Sequence, residues 1–563
     1  MRASRHSAIY LIWTNVKTES PSQPRDAVRP AMRDEVMPVA VAALVLAFIA
    51  LLWCTAHGYL LLYGDAVAHL HIARRILDSH NPGLSQLGGV WLPLPHLVLL
   101  PFVQKMEWWQ TGLAGAMPSM IFYVLATAGM FRLARYAMSP RWALVCVLCF
   151  ALNPGLLYLS TTAMTEPLFL ALVIWSVVLL AECTLAMQQQ RTHSFVRNLS
   201  GAGTLLVCAV YTRYDGWIIA TFAWLILLSL LLKQRSMWKS PVLVAFAVFT
   251  LMLAAAPLGW LAYNAHYFHD PLDFMRGPYS AKMIELHTTP PGSFHYPGWH
   301  NPVLALRYYM KTAEVDAVAG KYGVVLTLLA LGGLALALAR KLGQWALLLL
   351  WIPLPFYAYS ISYGSVPIFI PQWWPHSFYN SRYGLEMLPA LALFGCLMLA
   401  QIERWIASRN KRVAQYVLPA ALVLIAANTV ALLHQKPLVL QEALANSATR
   451  IPFEAALARQ LEMLPHNIPI LMYNSDHVGA LQQAGIPLKQ TVNEFDWDSW
   501  HAALIAPATN AAFVVAIDGD PVAAAVKAHP AGLEETAILC TMGQPCARLY
   551  ASIVYGSKGN TAP

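Results

Sequence analysis

Four short strings hold residues whose types can move a proton or grip a phosphate. LYGDAVAHLHIARR (62–75) contains Asp65 with His69 and His71, and LSTTAMTEPLFLAL contains Glu166. YTRYDGW (211–217) contains Arg213 and Asp215, and the stretch from 362 onward, SYGSVPIFIPQWWPHSFYNSRYGLEMLP, contains His376, Arg382 and Tyr383. A carboxylate ionised at neutral pH can take the proton of an attacking hydroxyl. A guanidinium matches two phosphate oxygens at once. Asp65 and Glu166 are therefore candidate catalytic acids, Arg213 and Arg382 candidate phosphate ligands, and His69, Asp215, Tyr383 and His376 secondary candidates. Structural readings stand beside these. Asp65 could N-cap a helix, Thr165 and Glu166 could cap the helix that Pro167 opens, and Arg213 with Asp215 could hold a hairpin. Arg74 and Arg75 could bind lipid headgroups, and Trp373 and Trp374 could belong to an interfacial aromatic belt or to a sugar platform.

All four strings border apolar runs. The chain has 563 residues, 58% of them hydrophobic and 12% charged, against roughly 25% charged in soluble proteins. Such a composition excludes a soluble domain, and the net charge of +9 then marks loops facing the cytoplasm rather than nucleic acid. We expect an all-α polytopic membrane protein with about eleven spans: 38–56, 112–131, 141–159, 166–186, 199–212, 216–232, 241–263, 322–339, 344–361, 384–402 and 414–434. Segment 90–104 is short and proline-rich, and reads as interfacial or re-entrant. The connections 130–141, 188–198, 233–239, 339–341 and 403–412 are basic, which places them in the cytoplasm. Asp65, Glu166, Arg213, loop 264–320 and everything after 434 then face outward. The expected location is a bacterial cytoplasmic membrane, crossed many times, with the N-terminus inside and the C-terminus outside.

Residues 1–36 are polar, without a signal-peptide layout; they read as a disordered cytoplasmic tail, or as the product of an upstream start with Met32 or Met37 the true beginning. Residues 37–434 form the membrane domain. From 435 to 563 the pattern changes: EAALARQLEMLP reads as a surface helix, IPILMYN (468–474) and AAFVVAID (511–518) as buried strands, DHVGALQQAG and DPVAAAVKAHP as helices. This is a small α/β domain outside the membrane. Cys540 and Cys546 in CTMGQPC are the only cysteines of that domain and are expected to form a disulfide in an oxidising compartment. The interfacial stretch 65–79 is expected to put Asp65, His69, Ile72 and Ile76 on one helical face.

The chain has no phosphate-cradling glycine loop, no HExxH and no paired CxxC. The first-loop acid followed by GDAVAHLHIARRIL, then WLPLPHLVLLPF, TEPLFLAL, TRYDGW, HDPLDF and RYGLEMLPAL, resembles the GT-C superfamily of integral-membrane glycosyltransferases. The resemblance is to the bacterial branch related to protein O-mannosyltransferases and the lipid A aminoarabinose transferase, and it covers about residues 38–434. It implies transfer of a sugar from a polyprenyl-phosphate donor to an acceptor hydroxyl of a glycan, lipid or protein, with inversion and with Asp65 as general base. Many relatives carry a second acid directly after that aspartate, where this chain has Ala66; Glu166 is the candidate replacement. A lipid phosphate needs no diphosphate-type metal clamp, so no cofactor is expected, though a divalent metal stays open. The implied partners are membrane lipids and the donor, not nucleic acid. The alternatives are a transporter or flippase of lipid-linked sugars, and a non-catalytic envelope assembly protein.

Overall fold

The computed structural model describes residues 28–290, 292–339, 345–465 and 467–555. Eight helices are long and apolar enough to cross a membrane: Glu35–Ala56, Leu113–Ala137, Glu166–Gln188, Asp215–Lys233, Ser240–Phe268, Trp345–Tyr363, Ser381–Ala407 and Lys411–Ser447. Each coincides with one of the eleven expected spans. The other three are Pro140–Ala151, which Asn153 and Pro154 break, the 17-residue Gly323–Ala339, and Thr192–Val210, whose polar first turns lower its hydropathy. Residues 1–27 of the expected tail lie outside the described residues; the first helix begins at Val28, so its last nine positions continue into the first span.

The helices differ in enclosure, and that difference identifies the centre. Glu166–Gln188 is 83% buried along its apolar window, whereas Ser240–Phe268 is 17% and Lys411–Ser447 is 11% buried. Apolar side chains left uncovered on the outer helices, such as Leu251, Leu258, Val423 and Leu424, have hydrocarbon as their natural solvent. The enclosed helix packs against Thr192–Val210 on one side and Leu113–Ala137 on the other. Its first residue is Glu166.

The short connections separate by end. At one end Arg135 pairs with Glu35, Arg132 bonds Glu182, and the indole of Trp142 donates to Glu403 at 2.6 Å. The acids and arginines singled out above collect at the other.

The helix Gly64–Leu77 does not lie free on a membrane surface. Nine of its fourteen residues are buried, among them His71 and Arg75. Arg74 donates to the carbonyls of Val103 (2.6 Å) and Gln104 (3.0 Å), closing the end of the helix Leu94–Val103. Arg75 donates to Gln86 O at 2.5 Å and stacks on Phe495 at 3.4 Å. Both arginines are thus structural, and neither is a headgroup ligand. The proline-rich segment forms a real but short helix; ten residues rise about 15 Å, half of the hydrocarbon thickness.

The C-terminal region holds a five-stranded sheet in the order β2-β1-β3-β5-β4: β1 is Ile470–Met472, β2 Thr491–Val492, β3 Phe513–Ile517, β4 Leu533–Leu539 and β5 Ala547–Ser552. β1 pairs in parallel with β2 and β3, and helices Asn474–Ala484 and Asp498–Ile505 run between these strands. β3, β5 and β4 continue the sheet antiparallel. Cys540 and Cys546 form a disulfide across the turn between β4 and β5, with Cα atoms 4.4 Å apart.

Candidate active site

Asp65 sits in the first turn of Gly64–Leu77, whose N-cap is Tyr63. The carboxylate makes no capping bond there, so the cap reading does not hold; it complements the helix dipole instead. Its Oδ2 lies 2.5 Å from Nη2 of Arg382, and its side chain is 40% exposed while that of Arg382 is 8% exposed. The tyrosine before it is tied down, donating from its hydroxyl to Val439 O at 2.8 Å.

Glu166 occupies the opposite situation. It is fully buried, and its Oε1 lies 3.2 Å from Arg213 Nη1 and 3.2 Å from Arg382 Nε. One carboxylate therefore bridges both arginines, and no exposed atom remains for a substrate. Its place, expected to be that of a catalytic acid, is that of a group held between Arg213 and Arg382. Thr165 makes no capping bond; its hydroxyl accepts from Arg213 Nη1 at 2.9 Å.

Arg213 is further held by Glu386 at 2.8 Å, by Asp215 at 3.4 Å and by the hydroxyl of Tyr357 at 2.6 Å. Tyr357 in turn donates to Glu386 at 2.7 Å. The Tyr383 ring lies 4.8 Å from each of the two guanidinium carbons. Gly384 lets this turn press on helix Pro302–Ala317: a Cβ there would meet Asp316 Oδ2 at 2.4 Å and Ala313 N at 2.8 Å. Two guanidiniums thus face Asp65, Glu166, Asp215, Glu386 and Glu442, the last 3.8 Å from Arg382. Both arginines, expected as phosphate ligands, are engaged by acids, and both still line the cavity described below.

Glu386 and Glu442 are absent from the sequence reading. Glu386 follows Arg382 by four residues, a helical spacing that could have flagged it. Glu442 carries no such signal. It accepts from the backbone N–H groups of Asn380 (2.9 Å) and Ser381 (2.8 Å) and from the Ser381 hydroxyl, which fixes the turn ahead of Arg382. Nearby, Arg450 donates to the carbonyls of Leu61 (2.8 Å) and Leu62 (3.0 Å) and pairs with Glu454 at 2.6 Å. Helices Leu438–Ser447 and Arg450–Leu461 thus hold both the Asp65 loop and the Arg382 turn.

These groups border a cavity of about 430 Å³, lined also by Trp91, Tyr214, Phe274 and Lys282. Asp65, His69, Arg213, Asp215, Arg382 and Tyr383 all reach it. Lys282 is exposed, and no ion pair involving it occurs among the described residues. His69 packs on Trp91 at 4.4 Å, and its Nδ1 lies 2.9 Å from His96 Nε2. Burial lowers the His69 pKa to about 4, with Asp65 opposing the shift and the two arginines adding to it. His376 is not part of the site; it sits in an exposed loop against Pro371 O at 2.9 Å. Trp373 packs edge-on to Tyr308, and neither it nor Trp374 borders the cavity. Among the described residues no three His, Cys, Asp or Glu side chains form a metal-binding group.

The arrangement of the whole chain has counterparts among solved structures. ArnT from Cupriavidus metallidurans bound to undecaprenyl phosphate superposes with a TM-score of 0.52 over 91% of this chain and 97% of that one, at 14% identity. Its apo form gives 0.51 over 92% and 98%, again at 14% identity. The chain shares its fold with ArnT. The apo oligosaccharyltransferase of Archaeoglobus fulgidus has a lower TM-score of 0.44, at 12% identity over 86% of this chain and 69% of that one. No protein-family model and no curated protein matches the sequence. At such identities the likeness lies in the helices and their order, and the roles of individual side chains rest on the geometry above.

Proposed function

We propose that this chain is a glycosyltransferase that moves one sugar from a polyprenyl-phosphate donor to an acceptor hydroxyl at the outer face of a bacterial cytoplasmic membrane. The observation that carries the reading is Asp65: of the five clustered acids it alone is substantially exposed, and it opens on the cavity. The acceptor oxygen attacks the anomeric carbon and gives its proton to the Asp65 carboxylate. The bond from that carbon to the phosphate oxygen breaks, and its electron pair leaves with the polyprenyl phosphate. A single displacement of this kind inverts the anomeric centre.

Arg382 orients Asp65 through their ion pair, while Glu166 fixes both arginines as a positioning residue. Lys282, together with the cavity-facing edges of Arg213 and Arg382, stabilises charge on the departing phosphate. An apolar cavity of about 300 Å³ between Trp217, Trp224, Leu253 and Pro257 lies along the helix that Asp215 begins, and suits the prenyl tail. Asp65 is paired with Arg382, and position 66 is Ala and offers no second carboxylate. EDTA should therefore leave the rate unchanged; abolition of transfer by EDTA with restoration by a divalent ion would contradict this. The functional test is reconstitution with a polyprenyl-phosphate sugar, in which wild-type protein transfers the sugar and Asp65→Asn does not.

A further inference from the structure

A second cavity, of about 390 Å³, adjoins the first, and Lys282, Tyr363 and Ser365 line both. Its walls are Glu285, His295, Trp299 and His300. The three rings form a parallel stack, His295 on Trp299 at 3.6 Å and Trp299 on His300 at 3.8 Å, each pair within 6° of parallel. Glu285 reaches His295 Nδ1 at 3.7 Å.

This wall is built rather than draped. Tyr296 donates to Ile361 O at 2.9 Å, and the His300 N–H donates to Ser362 O at 2.9 Å, tying the loop to the end of helix Pro353–Tyr363. Gly298 sits at φ +93°, where a Cβ would meet Ile361 Cγ2 at 2.9 Å and the Ala305 Cα at 3.1 Å. A cavity so fixed keeps its shape before a ligand arrives, which lowers the entropy cost of binding. A stack of three rings in a half-exposed loop does no work for the core, since His295 is 45% exposed.

We infer that this second cavity is the acceptor site and that it takes a saccharide. The inference rests on the reading of the central cavity as the donor site. Two substrates must meet at one carbon, and the apolar groove proposed for the donor tail lies along the helix that begins at Asp215, a residue of the central cavity. The second cavity meets the first at shared residues and is lined by groups of another kind. The outer faces of the two histidine rings, with Trp299 covered between them, can meet the C–H surface of a sugar, while Glu285 accepts hydroxyl hydrogens and Lys282, Ser365 and Tyr363 offer donors. An extended peptide would need unpaired backbone to bind, and among the described residues no strand borders this cavity.

The test uses full-length protein in lipid nanodiscs. Saturation-transfer NMR is recorded with maltotriose, mannotriose and chitotriose, and with the tripeptide Gly-Ser-Thr. Undecaprenyl phosphate is titrated in parallel. At least one trisaccharide should give signal with wild-type protein. That signal should fall at least five-fold in Glu285→Gln and in Thr289→Trp, a cavity-filling change, while undecaprenyl phosphate affinity stays within two-fold. Trisaccharide signal that survives both changes, signal from the tripeptide alone, or no trisaccharide signal in protein that binds undecaprenyl phosphate would overturn the inference. Loss of undecaprenyl phosphate binding in wild-type protein would instead strike the donor reading.

Discussion

Two arginines and five acids share the site, and their burial decides how each substitution behaves. Arg213 is enclosed by Glu166, Asp215 and Glu386, so Arg213→Ala leaves acids without a counter-charge. Breaking such a buried set costs about 3–5 kcal/mol, and thermal melting in detergent should show a large loss of stability. Arg382→Ala removes the partner of an exposed acid as well as the bridge to Glu166; it should lower turnover, because Asp65 loses the group that orients it. An unchanged turnover number in Arg382→Ala would count against that pairing. At this scale the strings holding Asp65, Arg213 and Arg382 were legible, because charge at the edge of an apolar span is costly and stands out. Partner identity was not. Glu442 and Arg450 lie far from Asp65 in sequence, outside the strings that the sequence reading singled out.

Elements respond to pH in opposite directions. His69 is lowered from 6.5 to about 4 by burial in the helix Gly64–Leu77. An unfolded chain binds that proton first, so stability is full above pH 6.5 and falls as pH drops from 6.5 towards 4. His69→Gln should flatten this part of the melting-temperature profile. Glu454 is raised from 4.5 to about 7, by burial that outweighs Arg450, and Asp520 from 3.8 to about 6, chiefly by burial. Their folded forms hold protons longer, so their contribution weakens as pH rises from 4.5 to 7 and from 3.8 to 6. Circular-dichroism melts of Glu454→Gln should lose the first of these slopes. The helix pattern itself was clear in the sequence, since apolar runs of span length have few alternatives. Burial of Gly64–Leu77 was not, because its partners are the short helix Leu94–Val103 and a loop of the C-terminal domain.

For the whole molecule, the membrane bundle and the C-terminal region act as one device. Arg450 holds the carbonyls just before Asp65, and Glu442 holds the turn just before Arg382. A chain ending after His434 should still insert in the membrane but lose transfer, and Arg450→Ala in the full chain should lower kcat more than it changes donor binding. The sequence marked that region as α/β from IPILMYN and AAFVVAID but left it as a separate module; its coupling to the site depends on contacts across nearly 400 positions. The central claim is that Asp65 takes the acceptor proton in a cavity that holds a lipid-phosphate donor. Its most direct measurement compares wild type and Asp65→Asn in nanodiscs, recording both undecaprenyl phosphate affinity and the rate of sugar transfer. The expected result is affinity within a few-fold and a rate lower by about 10²–10⁴. Full transfer by Asp65→Asn would contradict the mechanism.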